Sequence, residues 1–187
     1  GAEWYNNGPE FTTTAPEHNT IVPFTRNVVG SMDYTPVTFT NSQYPHITSF
    51  GHELALSVVF ESAIQHMADR PDGYLSLPDA PRSFLKKIPA AWDDTKLLDG
   101  YPGKEVIIAR RKGNSWYMGG INAESIEKQK KIPLHFLPEG VKYRLTLITD
   151  GKHDMDFHTQ IRVVDRADFI DAALVLADHH RMEAPAH

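Results

Sequence analysis

The chain has 187 residues, a formal net charge of −5, and 41% hydrophobic against 23% charged residues. That length holds one domain, or one domain plus part of another, with the composition of a globular protein. The charge excludes a broad basic surface for nucleic acid, no apolar run reaches the roughly 20 residues of a bilayer span, and the absence of cysteine excludes disulfides and thiolate zinc sites.

The first residue is Gly1, not Met, and no targeting segment follows it. A cut or processed chain is expected, so this absence says little about where the parent protein resides.

Residues 1–45 are rich in Asn, Thr and Pro and show little periodicity. Within them IVPFT at 21–25 has the length and apolarity of a buried strand of a parallel sheet, although Pro23 cannot donate to a ladder. Phe50, Leu54, Val58 and Ile64 lie close to helical spacing and predict a helix over 48–68, started by Thr48 or Ser49. Val58, Val59 and Phe60 are consecutive and apolar, so this helix needs cover on more than one side. Pro71 stops it and Asp72-Gly73 marks a turn. A second helix is predicted over 81–87, with Phe84, Leu85 and Ile88 inward and Pro89 at its end.

From residue 90 the texture is all-β. Strands are predicted over 95–98, 105–110, 116–122, 131–136, 143–149, 161–164 and 173–177. Turn formers separate them at Asp99-Gly100, Lys112-Gly113-Asn114, Pro138-Glu139-Gly140 and Asp150-Gly151-Lys152. This spacing predicts an antiparallel sandwich or barrel.

Four segments, in order, resemble glycoside hydrolase family 97, the α-glucosidase and α-galactosidase family. They are GAEWYNN at 1–7, EHNTIVPFTRNVVGSMDYTP at 17–36, SFLKKIPAAWDDTKLLDGYPGKEVIIARRKGNSWYMGGIN at 83–122, and the L-P-x-G-x-x-Y pattern at 137–143 followed by a strand and Asp150-Gly151. The tail at 153–187 carries the least of the resemblance. The family combines an N-terminal β-sandwich, a (β/α)8 catalytic barrel and a C-terminal all-β domain. The resemblance therefore implies an α+β chain in two parts. Residues 1–88 are expected to be the C-terminal remnant of the barrel, and residues 89–187 the antiparallel sandwich. One strand and one helix cannot close a barrel.

Sugar hydrolysis uses two carboxylates flanking the scissile bond. In the family a segment of the form E-G-x-R-G-x-E ends on the general acid, which is also a calcium ligand. Only Gly1-Ala2-Glu3 of that segment is present, so the resemblance places Glu3 at the catalytic acid and metal position. In this chain alone Glu3 reads as a solvated terminal residue. Its partner carboxylate and the remaining calcium ligands are expected upstream, since calcium takes six to eight oxygens. Calcium is expected in the intact parent and not in this chain by itself.

Asp33 lies where a barrel loop would reach an active site, though such an Asp more commonly fixes a turn. Arg26 is expected in an ion pair with a carboxylate. Among the ten histidines, His153, His158 and the pair His179-His180 match no metal motif, and solvated loops are the simpler reading. Trp116 and Tyr117, adjacent on a strand, point to opposite faces, one to core and one to surface; with Trp92 they are the candidates for stacking on sugar.

The expected function is that of a C-terminal piece of an α-glycosidase acting on α-glucosides or α-galactosides, inactive alone, with a sandwich that supports the barrel and oligomerisation. The alternative is a carbohydrate-binding or purely structural sandwich module. An oligosaccharide substrate for the parent, a homo-oligomer, and a periplasmic or secreted parent are implied; nucleic acid and membrane partners are not. A helix over 48–68 stripped of barrel neighbours is expected to leave an apolar patch and to drive self-association through 1–88 or the sandwich edges.

Overall fold

Strand β2 (Glu105–Lys112) organises the fold, because Val106, Ile107, Ile108 and Ala109 are consecutive and all buried. A strand apolar on both sides needs a layer on each face. The computed structural model describes residues 13–35, 37–40 and 47–174 and supplies both layers. β2 is the centre of an antiparallel sheet with β1 (Asp94–Tyr101) and β3 (Ser115–Asn122). Gly113 turns the β2–β3 hairpin at φ 56°, a conformation that favours glycine.

One layer is β. β4 (Lys128–Pro133) pairs antiparallel with β7 (Phe169–Leu174), and β5 (Tyr143–Asp150) with β6 (Phe157–Val164). Ile107 of β2 packs there against Ile132, Leu137, Val164, Ile170 and Leu174. Buried Asn122 ties the end of β3 to this layer, its amide nitrogen donating to the Leu174 carbonyl at 3.2 Å.

The opposite layer is helical: α1 (Ala15–Ile21), a 3-10 turn (Val22–Phe24), α2 (Arg26–Val29), α3 (Phe50–Val59), α4 (Pro71–Leu75) and α5 (Asp79–Lys87). Val106, Ile108 and Ile121 of the sheet pack against Leu56, Val59, Phe60 and Val22. A second helical-side cluster joins Val37, Phe39, Leu54 and Leu77 to Ile148 and Phe157 of the β5–β6 hairpin. No described helix is long and apolar enough to cross a membrane.

The centre of this layer is α3, whose terminal backbone groups are all accounted for. At its start Phe50 N–H donates to the Asp154 carbonyl (2.7 Å), Gly51 N–H to the Asp150 carboxylate (2.8 Å), His52 N–H to Ser49 Oγ (3.1 Å) and Glu53 N–H to the Ser49 carbonyl (3.1 Å). At its end the Leu56 carbonyl accepts from Phe60 N–H (3.0 Å), Ser57 from Gln65 Nε2 (2.9 Å), and Val58 and Val59 from Arg110 Nε (2.6 Å) and Nη2 (3.0 Å). Four of these eight partners, those of Phe50, Gly51, Val58 and Val59, come from the β part. They put a carboxylate at the positive end of the helix and a guanidinium at the negative end, the favourable sense at both.

Arg110 is 2% exposed, follows Val106 and Ile108 on the same face of β2, and also donates to Thr95 Oγ1 on β1 at 2.8 Å. Its Nη1 lies 3.5 Å from the Glu61 carboxylate. Gly119 of β3 sets how closely α3 lies on the sheet: a Cβ there would meet the Ala55 carbonyl at 2.9 Å and Val58 at 3.1 Å.

The described architecture is antiparallel β with a helical layer, which agrees with the sandwich expected from residue 89 onward. Three local expectations are corrected. Residues 21–25 form no strand; they close α1 and enter the 3-10 turn, where Pro16 and Pro23 occupy early helical positions that suit proline. The helix predicted over 48–68 ends at Val59, because Arg110 takes the Val58 and Val59 carbonyls that residues 62 and 63 would otherwise bond. Ile64 consequently lies outside it and is 62% exposed. Finally, α3 leaves no open apolar patch: Leu54, Leu56, Val58, Val59 and Phe60 are each at most 5% exposed, covered within the chain itself.

The β strands match the predicted ones with shifted ends. β4 starts and stops earlier than 131–136 because 134–137 is a turn, Leu137 N–H donating to the Leu134 carbonyl at 2.9 Å. β6 begins at Phe157 rather than 161, and β7 spans 169–174 rather than 173–177, whose end lies outside the described residues.

Arg110→Ala strands two buried helix carbonyls and should lower unfolding stability by about 3 kcal/mol. Arg110→Lys should recover little, because one ammonium cannot reach the Val58, Val59 and Thr95 oxygens together. Gly119→Val should cost about 2 kcal/mol by overpacking. Urea midpoints measure all three; losses under about 0.5 kcal/mol would contradict the assigned roles.

Candidate functional site

The sequence candidates that fall among the described residues do not converge. Glu3 and the pair His179-His180 lie outside the described residues. Asp33 is exposed, its carboxylate 3.9 Å from His66 Nε2. Among the described residues Arg26 makes no ion pair; it closes its own turn by donating to the carbonyls of Gly30 (3.3 Å) and Ser31 (3.1 Å). Both carbonyls lie just past the end of α2, and Asn27 Nδ2 also donates to that of Gly30 at 3.4 Å.

His153 lies within the β5–β6 hairpin turn and His158 on the strand that leaves it. There Gly151 N–H donates to the Asp156 carbonyl (2.9 Å) and Asp156 N–H to the His153 carbonyl (3.0 Å). The turn presents Asp154 and Asp150 to the start of α3, so it is a docking turn. Among the described residues no three of His, Asp and Glu gather into a metal-holding group.

Trp116 and Tyr117 do point to opposite faces of β3, but both faces are covered and neither ring is the open one expected. Trp116 meets Phe136 edge-on at 4.9 Å on the sandwich side. Tyr117 packs against Trp92 (5.3 Å) and Phe84 (6.0 Å) on the helical side, and its hydroxyl donates to the Lys87 carbonyl at 3.2 Å. The helical layer, invisible to strand alternation, supplies the second cover.

A cavity of about 880 Å³ runs between β3 and β5, with His52 and Ala55 of α3 along one side and Ile170 and Leu174 of β7 along the other. Its described lining is mainly apolar, but Lys87, Asn122, Lys142, Arg144, Asp150 and His52 also border it. His52 Nδ1 and Trp116 Nε1 are buried without a hydrogen-bond partner among the described residues. Asp150 is the one carboxylate among the described lining residues, so the two-carboxylate machinery of glycoside hydrolysis is not assembled there.

The titrating groups at this seam have clear physical causes. Burial pushes His52 down to about 3, and Asn19 Nδ2 lies 3.1 Å from its Nε2, which fits a neutral ring accepting there. Burial raises the Asp150 carboxyl; bonds from Ser49 and Gly51 oppose this and the neighbouring Asp154 adds to it. Arg110, His52 and Asp150 are the residues that sequence reasoning missed. The available signal was Arg110 itself, a cation at the buried position of a period-2 apolar face.

His52 should remain neutral in the folded chain while the unfolded chain protonates near 6.5. Its contribution to stability is therefore present above 6.5 and is lost as pH falls toward about 3. Asp150, raised in the folded state, works in the opposite sense. Imidazole proton shifts recorded from pH 7.5 to 4.5 should leave the His52 signals unmoved; a midpoint near 6.5 would contradict its burial.

Comparison with known proteins gives this arrangement a family. A family model described as "Glycosyl-hydrolase 97 C-terminal, oligomerisation" matches residues 91–177. A protein of Streptomyces bingchenggensis named probable retaining alpha-galactosidase is 43% identical over 145 residues, covering 78% of this chain and 22% of that protein. A retaining alpha-galactosidase of Bacteroides thetaiotaomicron is 36% identical over 145 residues, covering 72% of this chain and 22% of its own length. The chain thus spans under a quarter of the curated relatives it matches. Among solved structures, a glycoside hydrolase family 97 enzyme from Pseudoalteromonas sp. strain K8, in complex with acarbose, superposes with TM-score 0.80 at 32% identity over 86% of this chain and 27% of that one. A beta-arabinopyranosidase gives TM-score 0.80 at 25% identity, over 90% of this chain and 27% of the other. With its sandwich, its helical layer and the matched residues aligned in this way, the chain belongs to glycoside hydrolase family 97 as a C-terminal part.

Proposed function

We propose that the parent of this chain is a retaining α-galactoside hydrolase, in which residues 1–88 complete the (β/α)8 catalytic barrel and residues 89–187 brace it and carry homo-oligomerisation. The observation that carries this reading is the two-ended grip of the β part on α3. A helix held by Asp150 at its start and Arg110 at its end transmits the position of the sandwich to whatever α3 belongs to. The two curated relatives, both named as retaining alpha-galactosidases, support the substrate class. The family description supports oligomerisation through residues 91–177.

In this reading Glu3 protonates the departing glycosidic oxygen and later activates water. A retaining enzyme then needs a second carboxylate, about 5–5.5 Å away, as nucleophile, and that group belongs to the upstream part of the parent. Calcium, its remaining ligands and the sugar contacts belong upstream as well, and the parent acts in the periplasm or outside the cell. A sugar-binding role for the sandwich has less support, because Trp116 and Tyr117 are both engaged in packing.

The chain alone should not cleave a nitrophenyl α-galactoside, even with millimolar calcium; clear turnover would overturn the assignment of the nucleophile to upstream sequence. In the full-length parent, melibiose should be hydrolysed in preference to maltose. Glu3→Gln should slow melibiose cleavage by about 10²–10⁴-fold, and should slow release of nitrophenolate, which departs without a proton, by less. An unchanged melibiose rate would remove Glu3 from the acid position.

A further inference from the structure

We propose that the outer face of β6, centred on Ile161, is the surface through which two copies of this chain associate. The inference rests on the reading of residues 91–177 as an oligomerisation domain and names the strand that performs it. With α3 covered inside the chain, the self-association surface has to lie elsewhere.

The middle of β6, between Phe157 and Val164, which both pack inward, is built inside out. Its ladder with β5 sets Leu145 opposite Arg162, Leu147 opposite Gln160 and Thr149 opposite His158, so the polar residues of β6 share the face whose β5 members, Leu145 and Leu147, pack into the sandwich core. Arg144 faces Val163, Thr146 faces Ile161 and Ile148 faces Thr159 on the other side. Ile161 and Val163 therefore point away from the core, 55% and 67% exposed, whereas Val164 at the strand's end turns into it and is 4% exposed. In an ordinary half-buried strand this alternation runs the other way.

The same strand is an open edge. Among the described residues β6 pairs with β5 alone, and the ladder runs from 157 to 164 without a bulge. It contains no proline and no lysine, the common devices that discourage pairing at an edge. A straight, unprotected strand with apolar outward side chains is a template for another strand.

Its sequence fits a second copy of itself. With Ile161 on a two-fold axis and the strands antiparallel, Ile161 meets Ile161 of the second copy and Thr159 meets its Val163 on one face. On the other face Gln160 meets Arg162 of the second copy, an amide oxygen opposite a guanidinium whose Nη2 donates within its own chain to the Phe169 carbonyl at 2.7 Å. Between 159 and 163 each pair in this register is apolar on apolar, methyl on methyl or acceptor on donor, and no like charges face each other; beyond it, His158 falls opposite Val164, which is buried in its own chain. The contact is isologous, and such contacts close into dimers. The two β5–β6 ribbons become one four-stranded sheet across the axis.

The test is sedimentation velocity of the whole 187-residue chain at about 50 µM, beside the double variant Ile161→Lys, Val163→Lys. Both sites are exposed, so circular dichroism should show the variant folded; Ile161→Thr with Val163→Thr, which keeps β-branching, serves as a second, milder pair. The expected result is a wild-type dimer, a monomeric lysine variant and a weakened threonine variant. A lysine variant that stays dimeric would overturn β6 as the contact and leave oligomerisation by the domain intact. A monomeric wild type would sink the oligomerisation reading itself and assign this face to another occupant, such as upstream sequence of the parent.

Discussion

A single helix held at both termini by the sheet that it covers determines the rest of this structure. Ten residues, 50–59, are too few to be stable as an isolated helix in water. Burial of Leu54, Leu56, Val58 and Val59 supplies the driving force, but burial also removes water from the end groups of the helix. Those groups have to be bonded by protein, and half of the bonds come from Asp150, Asp154 and Arg110. The helical and β parts of the chain are thus two faces of one core, joined at β2. A sequence boundary drawn near residue 89 separates compositions, and the packing crosses it.

In the proposed parent, that junction gives the domain a mechanical meaning. An accessory sandwich attached by a flexible tether could not influence a catalytic cleft. One that caps both ends of a packed helix fixes the orientation of every element connected to that helix. The same design explains why the described cavity next to α3 is without hydrolytic machinery. Asp150 spends its carboxylate on Gly51, and neutral His52 lies against Asn19, so the polar atoms at the seam serve attachment.

Much of this was legible in the sequence, for reasons that differ by element. The strands read well because turn formers such as Gly113 punctuate short alternating segments, and the longest of the four segments that carry the family resemblance contains β1, β2 and β3. The helix read well at its start, where Ser49 caps it, and poorly at its end. Nothing local marks Val59 as the last residue; Arg110, fifty-one positions later, ends the helix by claiming its carbonyls. IVPFT misled because apolar content alone does not separate a strand from a tight helical turn, and proline fits the second better. Tyr117 misled because strand alternation cannot see a third layer. Long-range polar contacts were the common element in what was missed.

Native-state hydrogen exchange tests the two-ended grip most directly, because it reports the opening free energy of each amide separately. If the helical and β parts share one core, the amides of Leu56, Val58 and Ile108 should exchange only through the same global opening, with equal free energies and equal denaturant dependence. If α3 amides exchange at a free energy several kcal/mol below those of β2, with a small dependence on denaturant, the helix opens by itself and the account is contradicted.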